Sequence, residues 1–379
     1  SDWSSDECSS DLIGFQNFLW PMDPDHNYWG DAQEIRQSCE KEKAAIWPGV
    51  ERLRPVMEDV ARMFYPAALD SLTRPAGELA DQTQVEDEEL FPTTVPRKAF
   101  MVGATGFFTN LTSPAKRWCK VAVRPRRFAT GKTDEQYARQ MDELTEAIRY
   151  VMRRCGVYKS IETAWKHLLA FGFAALTVRP QEEHEADGRY AVSECLRPGT
   201  YGFGLGATGK VERLVRRFAF TAEQLAERFG EGNLPPDAAR ALERGDKARF
   251  ETWNLIEPHR KRWRGDKRDW RLSYGEFSYR SIWWLATSEG DARGILAVRG
   301  FKYKPFVCPR FEVEAGEIYG RGRGFDALGA AKALQIIRGD CLDISGMHSQ
   351  PAVCASWDLQ DAGLHLGRGG VNWVAPGEQ

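Results

Sequence analysis

The glycine-rich segment Gly204–Lys210 (GLGATGK) is the part of the sequence that most resembles a chemical site. It fits the phosphate-binding pattern GxxxxGK, and its three glycines also fit GxGxxG. A phosphate-binding loop requires a hydroxyl residue after the lysine for magnesium, and a helix whose N-terminus faces the anion. Here Val211 follows the lysine and a strand-like segment comes next. We therefore predict a β-hairpin with glycines at positive φ, and keep a nucleotide hydrolase using Lys210 as the enzyme alternative.

A second segment, His259–Arg271 (HRKRWRGDKRDWR), combines basic and aromatic residues. Tryptophan and arginine are favoured anchors of protein interfaces, so a docking surface for a protein partner is the preferred interpretation. The same residue types suit single-stranded nucleic acid, because cations follow the backbone and rings stack on bases. The alternative function is therefore a single-stranded nucleic-acid-binding protein that uses the segment 259–284. The predicted docking residues are Arg260, Arg262, Trp263, Arg264 and Trp270.

Other patterns give no positive case for catalysis. The six histidines are scattered and form no HExxH motif, and no serine lies in GxSxG. The eight cysteines form no CxxC, which disfavours a structural zinc site and favours a reduced intracellular protein. We therefore predict no catalytic residue, no cofactor and no metal. The segment Gly320–Gly324 (GRGRG) is interpreted as the flexible entry to a helix, with Arg321 and Arg323 at the surface.

Composition and charge exclude three classes of protein. Hydrophobic residues make up 42% and charged residues 28% of the 379, which is typical of a globular chain and excludes disorder throughout. The longest apolar run, Leu168–Val178, is too short to span a bilayer, so no membrane partner is predicted. The net charge of −2 divides into −11 over residues 1–98 and +9 over the remainder. The whole molecule is therefore not a strongly basic nucleic-acid coat.

Helical and strand patterns alternate without a regular βαβ rhythm, which predicts an α+β fold. Ala32–Tyr65 has helical periodicity, and Pro48 and Pro55 predict a break or kink within it. Thr221 and Gln224 match a capping box before a short helix. Phe325–Met347 is predicted as a further helix. Its residues near one face are predicted to be Phe325, Leu328, Ala331, Leu334, Ile337 and Ile344.

The two ends of the sequence carry their own expectations. Ser1–Leu12 has no basic region, no apolar core and no periodicity, so it is not a signal peptide. We expect residues 1–13 to be a disordered or non-native leader. The last residues, Asn372–Gln379, read as the middle of a domain, so we expect the chain to be a fragment.

Four stretches, in this order, resemble the head-to-tail connecting, or portal, proteins of short-tailed bacteriophages. They span more than half of the chain. Phe311 stands where the family usually has tryptophan, and Gly324 stands where it usually has proline. The stretches are Phe107–Trp118 (FFTNLTSPAKRW), Val157–Val178 (VYKSIETAWKHLLAFGFAALTV), Val215–Gly230 (VRRFAFTAEQLAERFG) and Lys304–Ala327 (KPFVCPRFEVEAGEIYGRGRGFDA).

The resemblance implies a portal-type subunit with a helical and β wing, a helical stem and a β-rich clip. On this chain the wing corresponds to residues 14–215 and a first stem region to 216–249. The clip with its flanking strands corresponds to 250–312, and the returning stem helix to 313–350. Residues 351–379 begin a second wing segment, and the remaining wing and the crown of the family are absent.

The resemblance also implies a structural role without enzymatic activity. Subunits of this family form a ring at one capsid vertex, through which double-stranded DNA passes during packaging and ejection. The implied partners are further copies of the chain, terminase, tail or adaptor proteins, capsid and scaffold proteins, and the DNA. The implied location is the portal vertex of the virion, and the host cytoplasm during assembly. Lys332 and Arg338, on the stem-like helix, are the predicted channel residues.

Overall fold

The computed structural model describes residues 32–73, 93–122, 134–180, 191–259, 278–286, 294–351, 353–356 and 370–374. Helices and antiparallel sheets are both prominent in these ranges, so the predicted α+β class is confirmed. The helices are α1 Ala32–Phe64, α2 Leu69–Thr73, α3 Val95–Leu111, α4 Asp134–Arg154, α5 Val157–Phe171, α6 Ala222–Phe229, α7 Pro236–Glu243 and α8 Arg323–Ser349. The strands are β1 Leu176–Pro180, β2 Ala191–Cys195, β3 Tyr201–Leu205, β4 Val211–Thr221, β5 Arg249–Pro258, β6 Tyr279–Leu285, β7 Ile295–Phe301, β8 Phe306–Val307, β9 Val353–Ser356 and β10 Val371–Val374.

The chain divides into two compact units. The first comprises residues 1–80 and 100–325, and the second comprises residues 81–99 and 326–379. Two of the three boundaries between the units fall inside helices, at 99/100 within α3 and at 325/326 within α8.

An antiparallel sheet with the order β3-β4-β5-β6-β7 forms the centre of the first unit. Helix α1 covers one of its faces. Trp253 and Trp284 are buried there, and the Trp284 indole donates a hydrogen bond to Glu40 Oε1 at 2.9 Å. The apolar core on this face consists of Ile35, Cys39, Ile46, Val215, Trp253, Leu255, Ile282, Trp284 and Val298.

The opposite face of the sheet is covered by α6 and α7. The predicted capping box at the start of α6 is confirmed: the Thr221 hydroxyl accepts from the Gln224 amide, and the Gln224 side chain accepts from the Thr221 amide. Leu225 and Phe229 of α6 then pack against Trp283 of β6. Because both faces are covered, the strands bury apolar side chains on both sides.

The sheet joins residues from both sides of two predicted domain boundaries. Strand β4 runs from Val211 to Thr221 across the boundary at 215/216, and β5 begins at Arg249 beside the boundary at 249/250. The division into wing, stem and clip stays a prediction.

Helix α1 is not broken at Pro48 or Pro55, and a kink at these residues stays a prediction. It runs without interruption through Pro48 and Pro55. Each proline lacks the N–H that would bond the carbonyl four residues earlier, and those carbonyls belong to Ala44 and Glu51. All four residues are exposed, so water can reach the freed carbonyls. Buried residues of α1, including Met57 and Val60, then hold the helix against the rest of the unit.

Helix α4 is unusual in the side that it buries. Thr145 and Arg149 are buried, whereas Leu144, Ile148 and Val151 are exposed. The Thr145 hydroxyl accepts from the Val121 amide at 3.0 Å. The Arg149 guanidinium donates to the carbonyl oxygens of Pro114 and Lys116, at 3.0 Å each. Polar side chains of α4 therefore hold the segment 114–121 through its backbone.

The second unit contains most of α8 and the parallel strand pair β9 and β10. Gln335 of α8 is buried and fixes the residue Thr93 that precedes α3. Its carboxamide oxygen accepts from the Thr93 amide at 3.0 Å, and its carboxamide nitrogen donates to the Thr93 carbonyl at 2.8 Å. One side chain thus satisfies both backbone groups of a single residue.

Candidate assembly surface

The segment Gly204–Lys210 is a hairpin turn and not a phosphate loop. It joins β3 to β4, which pair antiparallel, and Gly209 has a φ of +71°. A strand follows the lysine, so no helix N-terminus is present at this position to bind a phosphate. The predicted hairpin is confirmed, and the sequence match to a nucleotide site is wrong for a geometric reason.

Within the residues that the structure describes, no group of three or more His, Cys, Asp and Glu side chains could hold a metal ion. In the same part of the chain, no helix combines the length and the apolar character that crossing a bilayer requires. His167 illustrates a structural role for a titratable residue. It is buried, and its Nδ1 lies 3.4 Å from Cys195 Sγ. Burial lowers the pKa of His167 to about 3, with Lys166 contributing in the same direction.

Residues of three of the four family-like stretches meet at one place in the first unit. The rings of Phe107 and Trp165 stack at 5.4 Å, and the Trp165 indole donates to the Thr112 hydroxyl at 3.0 Å. Phe311 contacts Phe107 edge-on at 6.5 Å, so a phenylalanine still supplies an aromatic ring where the family usually has tryptophan. We call these contacts, with the glycine contacts described next, the signature junction.

The glycines of Gly320–Gly324 lie against the C-terminal end of α5 with their backbones almost in contact. A Cβ on Gly322 would lie 2.5 Å from Gly172 N and 2.7 Å from Ala170 O. A Cβ on Gly320 would lie 2.1 Å from Phe311 O. The segment leads into α8, as predicted, but the predicted flexibility is wrong because its glycines are closely packed. Its two arginine side chains are at the surface, as predicted.

An aromatic cluster extends the signature junction to the central sheet. Tyr319 lies 4.8 Å from Phe173 and 4.5 Å from Phe203, measured between ring centroids. The Phe203 amide donates to the Tyr319 hydroxyl at 3.4 Å. Burial raises the pKa of the Tyr319 phenol above its ordinary value. Sequence reasoning missed this cluster, because the three aromatic residues are far apart in the chain.

Helix α8 is the largest exposed apolar element of the described residues in the second unit. Its buried positions are Gly324, Ala331, Gln335 and Gly346, which lie on one line along the helix. Large apolar side chains elsewhere on α8 face solvent, with exposed fractions between 38% and 66%. They are Leu334, Ile336, Ile337, Leu342, Ile344 and Met347.

The predicted single apolar face of α8 is only partly correct. Phe325 and Leu328 are half-buried and Ala331 is buried, but Leu334, Ile337 and Ile344 are exposed. A step of three residues advances a helix by about 300°, so successive steps of three wind around the helix instead of following one side.

The predicted channel residues Lys332 and Arg338 are both exposed on α8. They are six residues apart and therefore project about 120° from one another. Their role in a channel stays a prediction. The predicted docking residues Arg260, Arg262, Trp263, Arg264 and Trp270 lie outside the described residues. They belong to the segment that connects β5 and β6, whose ends pair at Pro258 and Tyr279.

Comparison with known proteins agrees with the family-like stretches. The sequence model of the family described as "Bacteriophage head to tail connecting protein" matches residues 40–379. The chain is 26% identical over 280 residues to the portal protein of Salmonella phage epsilon15, covering 72% of this chain and 46% of that protein. It is 25% identical over 244 residues to a probable portal protein of Bordetella phage BPP-1, covering 63% of this chain and 40% of that protein.

The chain thus spans less than half the length of these two curated relatives. The family match, in contrast, extends over most of the chain and includes all four stretches on which the resemblance was based. This chain therefore belongs to the family of bacteriophage head to tail connecting proteins.

Proposed function

We propose that this chain is a structural subunit of a phage portal. In this proposal, copies form a ring at one capsid vertex, and double-stranded DNA passes through the ring during packaging and ejection. Family membership and the names of the two relatives support it. The proposed partners are terminase, tail or adaptor proteins, and capsid and scaffold proteins. The proposed location is the virion, and the host cytoplasm during assembly.

The observation that carries the proposal is the exposure of α8. Ile336, Ile337 and Ile344 are 66%, 60% and 55% exposed. A helix with apolar residues on most of its circumference is normally buried within a larger structure. A subunit of a ring contacts neighbours on two different sides, and a helix exposed on both flanks suits that geometry. Neither feature is expected of an enzyme that acts as a monomer around one pocket.

The direct test is electron microscopy of the full-length protein, together with its mass from light scattering. We expect closed rings with a central hole and a mass many times that of one chain. A monodisperse monomer over a wide range of protein and salt concentrations would contradict the proposal.

The segment 259–271 is proposed as the docking surface for terminase or an adaptor. Changing Trp263 and Trp270 together to alanine is expected to weaken partner binding by at least tenfold, because buried tryptophans commonly carry about 2 kcal/mol or more of an interface. Ring assembly should be unchanged. Binding is measured by interferometry with purified terminase or adaptor, and assembly by light scattering. Loss of rings with normal partner affinity would refute this assignment.

The alternative of a single-stranded nucleic-acid-binding protein loses part of its basis. Trp283 and Trp284 belong to the segment 259–284, but their exposed fractions are 3% and 0%, so neither ring can stack on a base. Salt-dependent binding of a labelled oligonucleotide by a small oligomer would favour the alternative.

A further inference from the structure

Helix α8 carries two exposed stripes with the same spacing. The first flank consists of Leu334, Arg338 and Cys341, and the second flank consists of Ile336, Asp340, Asp343 and Met347. Steps of four and then three residues keep each stripe on one side of a helix. The second flank begins two residues after the first, which places it about 200° around the helix. The two flanks therefore point to nearly opposite sides.

The charges of the two flanks are complementary. The first flank contains one arginine and no acidic residue. The second flank contains two aspartates, and the exposed Lys332 lies one turn before Ile336 on the same side, which leaves that side with a net charge of −1. Arg338, Asp340 and Asp343 are all exposed, and none has an ion-pair partner among the residues that the structure describes. Each flank also has exposed apolar side chains, with Leu334 at 38% and Ile336 at 66% exposure. Each flank is thus the chemical counterpart of the other and not of itself.

Complementary, non-identical flanks on one helix fit a head-to-tail arrangement of copies. In a ring, the left side of each copy meets the right side of the next, so every contact joins two different surfaces. Neighbouring α8 helices then run in the same direction. Packed helices lie about 8–10 Å apart, and a shift of two residues is about 3 Å along the axis. Arg338 of one copy is then within reach of Asp340 of the next, and Leu334 lies near Ile336.

We infer that the second copy of this chain is the partner of α8, and that Arg338 pairs with Asp340 and Asp343 of the neighbouring copy. This inference rests on the proposed ring and adds the surfaces through which its copies meet. It assigns Arg338 to a contact between copies and not to the channel.

Charge exchange in the full-length protein tests the inference. Arg338→Asp puts three acidic residues at the contact, and the double change Asp340→Arg, Asp343→Arg puts three basic residues there. Each is expected to reduce association between copies by about tenfold or more, because like charges at a contact cost several kcal/mol. The triple variant with all three changes restores opposite charges and is expected to form rings again. Mass photometry of each protein gives the fraction in rings.

Three measurements separate assembly from folding. Positions 338, 340 and 343 are exposed, so their substitution should not affect the fold of one copy. Each variant, once dissociated, should therefore have the melting temperature of the dissociated unchanged protein. Arg52→Asp changes an exposed charge on α1 and should leave the ring fraction unchanged. Cys341 is an exposed thiol on the first flank, so its reaction with a maleimide, followed by mass spectrometry, should be slow in rings and fast in dissociated variants.

The outcomes are distinguishable. Normal rings for Arg338→Asp, or a triple variant that stays dissociated, would overturn the inference and leave the proposed ring intact. Failure of the unchanged protein to form rings would overturn both.

Discussion

Gly322→Ala is expected to destabilise the first unit by roughly 3 kcal/mol or more, because its Cβ would meet backbone atoms that cannot rotate away. The new carbon would lie 2.5 Å from Gly172 N and 2.7 Å from Ala170 O. Relief requires moving either the end of α5 or the segment before α8. Urea unfolding followed by tryptophan fluorescence measures the change, since the first unit contains Trp253 and Trp284 in its core.

Gly106→Ala is the matched control for this prediction. Gly106 lies inside α3, and a Cβ there would have no heavy atom within 4 Å. Alanine in a helix interior is favoured over glycine by about 1 kcal/mol, so this variant should be as stable as the unchanged protein or more so. Equal stability of Gly322→Ala and Gly106→Ala would show that the signature junction is not closely packed.

Acidification from pH 6.5 to pH 4 is expected to cost the folded protein roughly 3 kcal/mol through His167 alone. The ordinary pKa of 6.5 applies to the unfolded chain, whereas burial lowers the pKa of His167 in the folded protein to about 3. Between these values the unfolded state binds a proton and the folded state does not. Stability is therefore retained above pH 6.5 and is lost as the pH falls toward 3.

Thermal or urea unfolding at several pH values measures this effect. His167→Phe removes the titrating group while keeping an aromatic ring next to Tyr65 and Phe171, whose centroids lie 6.1 Å and 6.3 Å from the imidazole. Its stability should fall less steeply below pH 6.5, by up to about 1.4 kcal/mol per pH unit. His348→Gln changes an exposed histidine and serves as the control substitution. Parallel slopes for all three proteins would contradict a neutral buried His167.

Local signals in the sequence were sufficient where the neighbouring residues alone decide the conformation. The capping box at Thr221 and the hairpin after Leu205 are set by residues within a few positions, and both are confirmed. The helix predicted over Phe325–Met347 extends only two residues further at each end.

Tertiary packing decided the features that the sequence did not reveal. The aromatic and basic composition of 259–284 indicated a surface, yet Trp283 and Trp284 lie on opposite faces of a covered strand. The segment Gly320–Gly324 was predicted to be flexible because its own residues do not reveal that it packs against the backbone at the end of α5. The exposure of α8 was equally hidden, since periodicity identifies an apolar helix but not what covers it.

The hydrogen bonds between α4 and the backbone of the segment 114–121 have a consequence for substitutions in that segment. Arg149 and Thr145 hold this segment by two carbonyl oxygens and one amide N–H. Every residue has the carbonyl, and every residue except proline has the N–H. The side chains of the residues in this segment can therefore be substituted while the backbone keeps its conformation. Substitution of Arg149 would instead remove the two hydrogen bonds to the carbonyl oxygens of Pro114 and Lys116, even if every residue of the segment were unchanged.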